Sequence, residues 1–151
     1  MTEPKRSVVV TENADKPYGQ VVTIGPHSLR SDEPPAVGGH DMGPSPYEYV
    51  MAGLGACTAM TLRMYADRHG WPLERTLVEV RHKVVVGSDG KGSSDRFERT
   101  IHVEGDLTGE QRAHLIEIAD RCPVSQTLQR SSSVVTSLAE APQGDWAPSN
   151  L

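Results

Sequence analysis

From Tyr49 to Leu62 the chain carries no charged side chain, and this stretch lies inside a longer helix signal. Any fold that forms must therefore cover an uncharged helix. In "PSPYEYVMAGLGACTAMTL", Ser45, Pro46 and Glu48 fill the N-cap, first and third helical positions of a capping box with proline at N1. Gly70 and Pro72 supply the stop, and Arg63, Asp67, Arg68 and His69 fall in the last two turns. A helix from Ser45 to about His69 would be about 36 Å long, enough to cross a small domain. Its first half is apolar or small all round, which predicts burial on every side. Ala52, Gly53, Gly55, Ala56 and Ala59 further predict that another backbone comes close.

The 151 residues suit one domain, expected over 1–140, with "APQGDWAPSNL" (141–151) as a flexible C-terminal tail. A net charge of -5 gives no cationic field for a nucleic acid or an anionic membrane, so neither is an expected partner. "MTEPKRSVVV" lacks the apolar stretch of a signal peptide, and the longest uncharged segment is too short to span a bilayer as a helix. The expected compartment is cytoplasmic. There the two cysteines suit packing, metal binding or redox catalysis better than a permanent staple.

"SVVVTE" and "GQVVTI" are β-branched runs separated by "NADKPYG", which suits a hairpin connection, and "HSLRSDE" can add a third strand. "PPAVGGHDMG" reads as a loop leading into the long helix. "TLVEVRHKVVV" and "RFERTIHVE" alternate as two strands of a second hairpin around "GSDGKGSSD". Thr108 and Gln111 form another capping box, opening a helix to about Asp120 with Leu115, Ile116 and Ala119 on one stripe. Pro123 interrupts it and places Cys122 at the N-cap of a short helix, "PVSQTLQ". "SSVVTSL" reads as a last strand. This order of elements is α+β, with no repeating β-α-β unit.

An N-cap thiol faces unpaired backbone N–H groups and the positive end of a helix dipole, so Cys122 has local support for its thiolate. Cys57 has none, and by itself reads as packing. Glu48 is nine residues earlier, half a helical turn away, so a straight helix points the two to opposite sides, and Glu48 serves its cap or meets a cysteine of another chain. His27, His40, His69, His82, His102 and His114 are scattered without metal-ligand spacing, and no metal or other cofactor is expected.

"GPSPYEYVMAGLGACTAMTLRMYADRHGWPLE" followed by "IADRCPVSQTL" closely resembles the OsmC/Ohr family of thiol peroxidases, in its OsmC-like branch. The resemblance spans roughly residues 27 to 138. It implies an OsmC-like fold, with antiparallel sheets packed around a long buried central helix, and an intertwined homodimer with its sites at the subunit interface. It also implies that Cys57 attacks a hydroperoxide of the organic kind and becomes a sulfenic acid. Cys122 then condenses with it to a disulfide, which an external small dithiol or lipoyl-type reductant recycles. A sulfenic acid is reversible only while a thiol captures it before further oxidation. Relatives activate the attacking thiol with an arginine near the first hairpin and a glutamate at the start of the central helix. Here the hairpin loop offers Lys16, Arg30 is the candidate arginine, and Glu48 stands one position closer to the cysteine. Ser125 follows the second cysteine where relatives often have histidine. The alternative is a non-enzymatic member that binds a small apolar ligand at the dimer interface.

Overall fold

The computed structural model describes residues 6–14 and 17–139. Lys16 and the expected tail 141–151 lie outside the described residues. The chain divides into two compact units, one formed by the residues up to Tyr49 with those from Val135 onward, the other by Val50–Val134.

The first unit holds a three-stranded antiparallel sheet in the order β1 (Val9–Glu12), β2 (Gln20–Ile24), β3 (His27–Ser31). Its register sets Val10 opposite Val22 and Val21 opposite Arg30, and Val21 and Val22 are buried. These are the two β-branched valine runs, and the third strand that the segment after them was expected to add. After β3 the chain is organised by the buried Asp32. Its carboxylate accepts the backbone N–H groups of Glu33 (2.8 Å), His40 (3.2 Å) and Met42 (3.3 Å). Burial pushes this carboxyl up, but the three N–H donors outweigh it and hold Asp32 below the usual carboxylate range. The loop closes so tightly that a Cβ on Gly39 would lie 1.9 Å from the Glu33 carbonyl oxygen. Helix α1 (Pro46–Arg68) begins in this unit, where the Glu48 carboxylate accepts the Ser45 backbone N–H at 2.7 Å. That bond is half of the expected capping box.

In the second unit, α1 continues and is followed by the hairpin β4 (Arg75–Val86) and β5 (Ser93–Glu104), then α2 (Gly109–Ala119) and α3 (Pro123–Gln129). The hairpin register runs from Arg75 opposite Glu104 to Val86 opposite Ser93. The strands thus extend further toward the turn than the serine-rich sequence "GSDGKGSSD" predicts. Alternate residues face inward, and Ile101 and Val103 pack against a core of Leu62, Ala66, Leu73, Leu107, Leu115, Ile118 and Ala119. The N-terminus of α2 has its complete capping box, with Gln111 N–H donating to Thr108 Oγ1 at 3.1 Å and Thr108 N–H donating to Gln111 Oε1 at 2.9 Å. Gly70 takes a left-handed φ of 64°, and the Trp71 N–H returns to the Ala66 carbonyl at 2.9 Å to close α1.

Three expectations change. The buried stripe of α2 is Leu115, Ile118 and Ala119, while Ile116 is exposed, because Ile118 and Ala119 lie three and four positions from Leu115 and share its face, whereas Ile116 is turned about 100° away from it. Helix α1 buries one stripe, Leu54, Thr58, Leu62 and Ala66, and leaves Gly53, Ala56, Met60 and Met64 exposed. One chain supplies a wall for only one side of it. Ser132–Leu138 forms no strand, and Val134, Val135 and Leu138 are almost fully exposed. A β-branched run without a neighbouring edge has nothing to satisfy its ladder of N–H and C=O groups. Among the described residues no helix is long and apolar enough to cross a membrane.

Candidate functional site

The second unit brings together the two cysteines, which the sequence separates by a hairpin and a helix. Cys57 sits on α1 and is partly exposed, whereas Cys122 is fully buried; both are free thiols. Each thiol perturbs the titration of the other, in opposite directions. The alanines and glycines around Cys57 keep this part of α1 thin: a Cβ on Gly55 would touch Val80 Cγ2 at 3.4 Å. Proline at position 123 ends the previous helix and starts α3, which leaves Cys122 at the N-cap. There the Ser125 backbone N–H points to Cys122 Sγ at 3.5 Å.

The two thiols are not electrostatically equivalent. For Cys57, burial pushes the thiol up, and the bond to Cys122 pushes it further; the Val124 N–H and the Thr61 hydroxyl pull the other way without offsetting this. For Cys122, burial also pushes up, but hydrogen bonds from Cys57, the Ser125 N–H, Thr58 and the Val124 N–H outweigh it, leaving the thiol below its ordinary range. The two directions together favour a negative charge at Cys122 over one at Cys57. Cys57 is the largest source of this bias, and the backbone N–H groups at the helix start anticipated from Pro123 add to it.

Behind the pair lies a polar network absent from the sequence reading. Arg99, on β5, has a side chain only 14% exposed. Its Nη1 donates to Thr58 Oγ1 (2.9 Å) and to the Ala119 carbonyl (2.9 Å), and its Nη2 donates to Asp120 Oδ1 (2.8 Å) and Ser125 Oγ (3.3 Å). A signal for it existed. Phe97, Arg99, Ile101 and Val103 share one parity of an alternating strand, so Arg99 is a cation on the inward-facing row. Arg99, Asp120 and Ser125 also line a cavity of about 430 Å³ together with Leu54, Phe97 and Leu128.

Arg30 and Glu48 belong to the first unit. Arg30 lies on β3, and its carbonyl accepts the Tyr49 hydroxyl. Glu48 serves the N-terminus of α1 as described. Among the described residues no group of three or more His, Cys, Asp or Glu side chains could hold a metal ion.

Residues 38–137 match the family model described as OsmC-like protein. None of the curated proteins matches the chain in sequence at a significant level. Its fold is similar to that of an OsmC-like protein from Mycoplasma pneumoniae, with a TM-score of 0.69 at 19% identity, covering 85% of this chain and 89% of the other. It is also similar to an organic hydroperoxide resistance protein OsmC from Legionella pneumophila, with a TM-score of 0.65 at 18% identity over 85% and 92% of the two chains. For an organic hydroperoxide resistance protein from Elizabethkingia anophelis the TM-score is 0.63 at 22% identity over 83% and 88%.

Proposed function

Because this chain belongs to the OsmC-like protein family, we propose that its two thiols form the centre of a cysteine-based peroxidase acting on organic hydroperoxides. The observation that carries this reading is the pair of free thiols that shift each other's titration, one partly exposed and one buried at a helix N-cap. The Cys57 thiolate attacks one peroxide oxygen, the O–O bond breaks, and the alkoxide leaves as an alcohol after taking a proton. Cys57 is then a sulfenic acid. Cys122 attacks its sulfur, hydroxide departs as water on protonation, and a disulfide forms. A small dithiol of the lipoyl type returns two electrons. It attacks the accessible Cys57 sulfur, and Cys122, the better-stabilised thiolate, is the leaving group. The family likeness also nominates Arg30, and Glu48 from a second copy of the chain, to favour the Cys57 thiolate.

Titrating the reduced protein with an organic hydroperoxide while counting free thiols tests this. Both thiols should disappear together at about one equivalent of peroxide, far faster than a small free thiol oxidises. Oxidation at the rate of a small thiol, with apolar ligand binding retained, would instead assign the protein to ligand binding.

A homodimer is part of the proposal. Its support is the uncovered row Gly53, Ala56, Met60 and Met64 on α1, with Met60 65% exposed, which is the face a second copy of an uncharged helix would cover. Sedimentation equilibrium should give about twice the chain mass of 16.4 kDa. A folded monomer at low micromolar concentration would remove the dimer.

A further inference from the structure

We propose that Arg99 is a positioning residue for the thiol pair, acting on Cys122 through Thr58 and Ser125. Its guanidinium touches the three helices around the pair: Thr58 on α1, Ala119 and Asp120 at the end of α2, and Ser125 on α3. Asp120 answers its charge at 2.8 Å, yet the Asp120 side chain is largely exposed and could balance the cation without the two hydroxyls. The hydroxyls themselves are what the geometry explains.

Thr58 Oγ1 has one hydrogen and two lone pairs. Arg99 occupies one lone pair, which leaves the hydrogen to the Leu54 carbonyl at 2.7 Å or to Cys122. When Cys122 is a thiolate, turning that hydrogen to sulfur costs little, because the Leu54 carbonyl still holds its helical hydrogen bond. Ser125 Oγ accepts from Arg99 at 3.3 Å and from Gln129 Nε2 at 2.9 Å, which fixes the residue whose backbone N–H faces Cys122 Sγ. Two of the four donors to the Cys122 thiolate, Thr58 and the Ser125 N–H, are thus held by one buried cation. Among the described residues, Cys57 of α1 bears directly on Cys122, Arg121 precedes it in the chain, and Arg99 of β5 with Asp120 after α2 faces the cavity that Asp95 and Arg96 also line. In the reaction, this arrangement makes Cys122 the leaving group during re-reduction, a consequence that rests on the peroxidase reading. The hydrogen bonds themselves do not.

The test is the thiolate ultraviolet absorbance of the reduced protein as a function of pH. It is run in a Cys57→Ser background, which keeps a hydroxyl donor beside Cys122 and leaves one titrating thiol. Arg99→Met should raise the Cys122 midpoint by about one pH unit, the scale of one lost hydrogen bond to an anion. Thr58→Val, with the guanidinium intact, should raise it similarly, and Thr58→Ser should return it. Arg99→Lys should restore part of the shift, since a point donor reaches one hydroxyl but not both. Unchanged midpoints in folded Arg99→Met and Thr58→Val proteins would overturn the role. So would a shift in Arg99→Met that Thr58→Val does not share, which would reduce Arg99 to a distant charge. The measurement uses no peroxide. Shifted midpoints in a protein that consumes no hydroperoxide would therefore sink the peroxidase and leave Arg99 its role, whereas active protein with unmoved midpoints would do the reverse.

Discussion

Cys57→Ser should abolish hydroperoxide consumption, whereas Cys122→Ser should still undergo one rapid oxidation and then fail to turn over. The electrostatics alone would suggest the opposite assignment, because Cys122 is the thiol held below its ordinary range and Cys57 the one pushed above it. Access decides between them. Cys122 is 0% exposed, so a peroxide cannot meet its sulfur without the helix junction opening, while Cys57 is partly exposed. The stabilised anion suits the second step: a ready thiolate beside a sulfenic acid captures it before another peroxide does. Without Cys122, the Cys57 sulfenic acid should persist and, in excess peroxide, advance to the sulfinic acid. Chemical trapping followed by mass spectrometry reads the site directly. A sulfenic acid trapped at Cys122 with Cys57 unreactive would reverse the assignment. The pH dependence has a definite sign. Attack needs the Cys57 thiolate, whose formation burial opposes, so the rate of the first oxidation should rise with pH through the thiol range.

Gly105→Ala should be the most destabilising glycine substitution in the second unit. Gly105 has φ 135°, and a Cβ there would lie 2.0 Å from the Pro72 carbonyl oxygen and 3.1 Å from the Glu74 nitrogen. The contact is with backbone on a neighbouring segment, so no side-chain rotation relieves it. That segment is tied to the strand end by the Glu74 N–H to Glu104 carbonyl bond at 2.8 Å, and Arg112 Nη2 donates to the Gly105 carbonyl at 3.1 Å. Relieving the overlap breaks bonds on both sides. A loss of about 3 kcal/mol or more is expected, from left-handed strain together with lost hydrogen bonds. Gly109→Ala is the control, since a Cβ there meets nothing within 4 Å and the backbone is helical. It should change stability by less than about 1 kcal/mol. Urea unfolding of the two variants compares them, and an unshifted midpoint for Gly105→Ala would refute the close approach.

Much of this molecule is decided within four residues along the chain, and that part was legible. Pro46 and Glu48 start α1, Gly70 ends it, Thr108 and Gln111 cap α2, and Pro123 makes Cys122 an N-cap; each depends on backbone groups one helical turn away or nearer. Strand parity also carried a signal, absent from the sequence reading, that Arg99 faces inward. What Arg99 holds was not legible, because Thr58, Ala119, Asp120 and Ser125 come from segments distant in sequence, and only the packing of α1, β5, α2 and α3 sets them around one guanidinium. The same is true of the thiols. Sequence named both cysteines and gave Cys122 its helix end, but the direction of charge sharing depends on which sulfur receives the N–H and hydroxyl donors, and tertiary contact settles that. The expected burial of α1 on every side and the strand at Ser132–Leu138 fail in the single chain for a related reason. Composition determines that a surface is apolar or β-branched, whereas only a neighbouring surface can bury it or pair it.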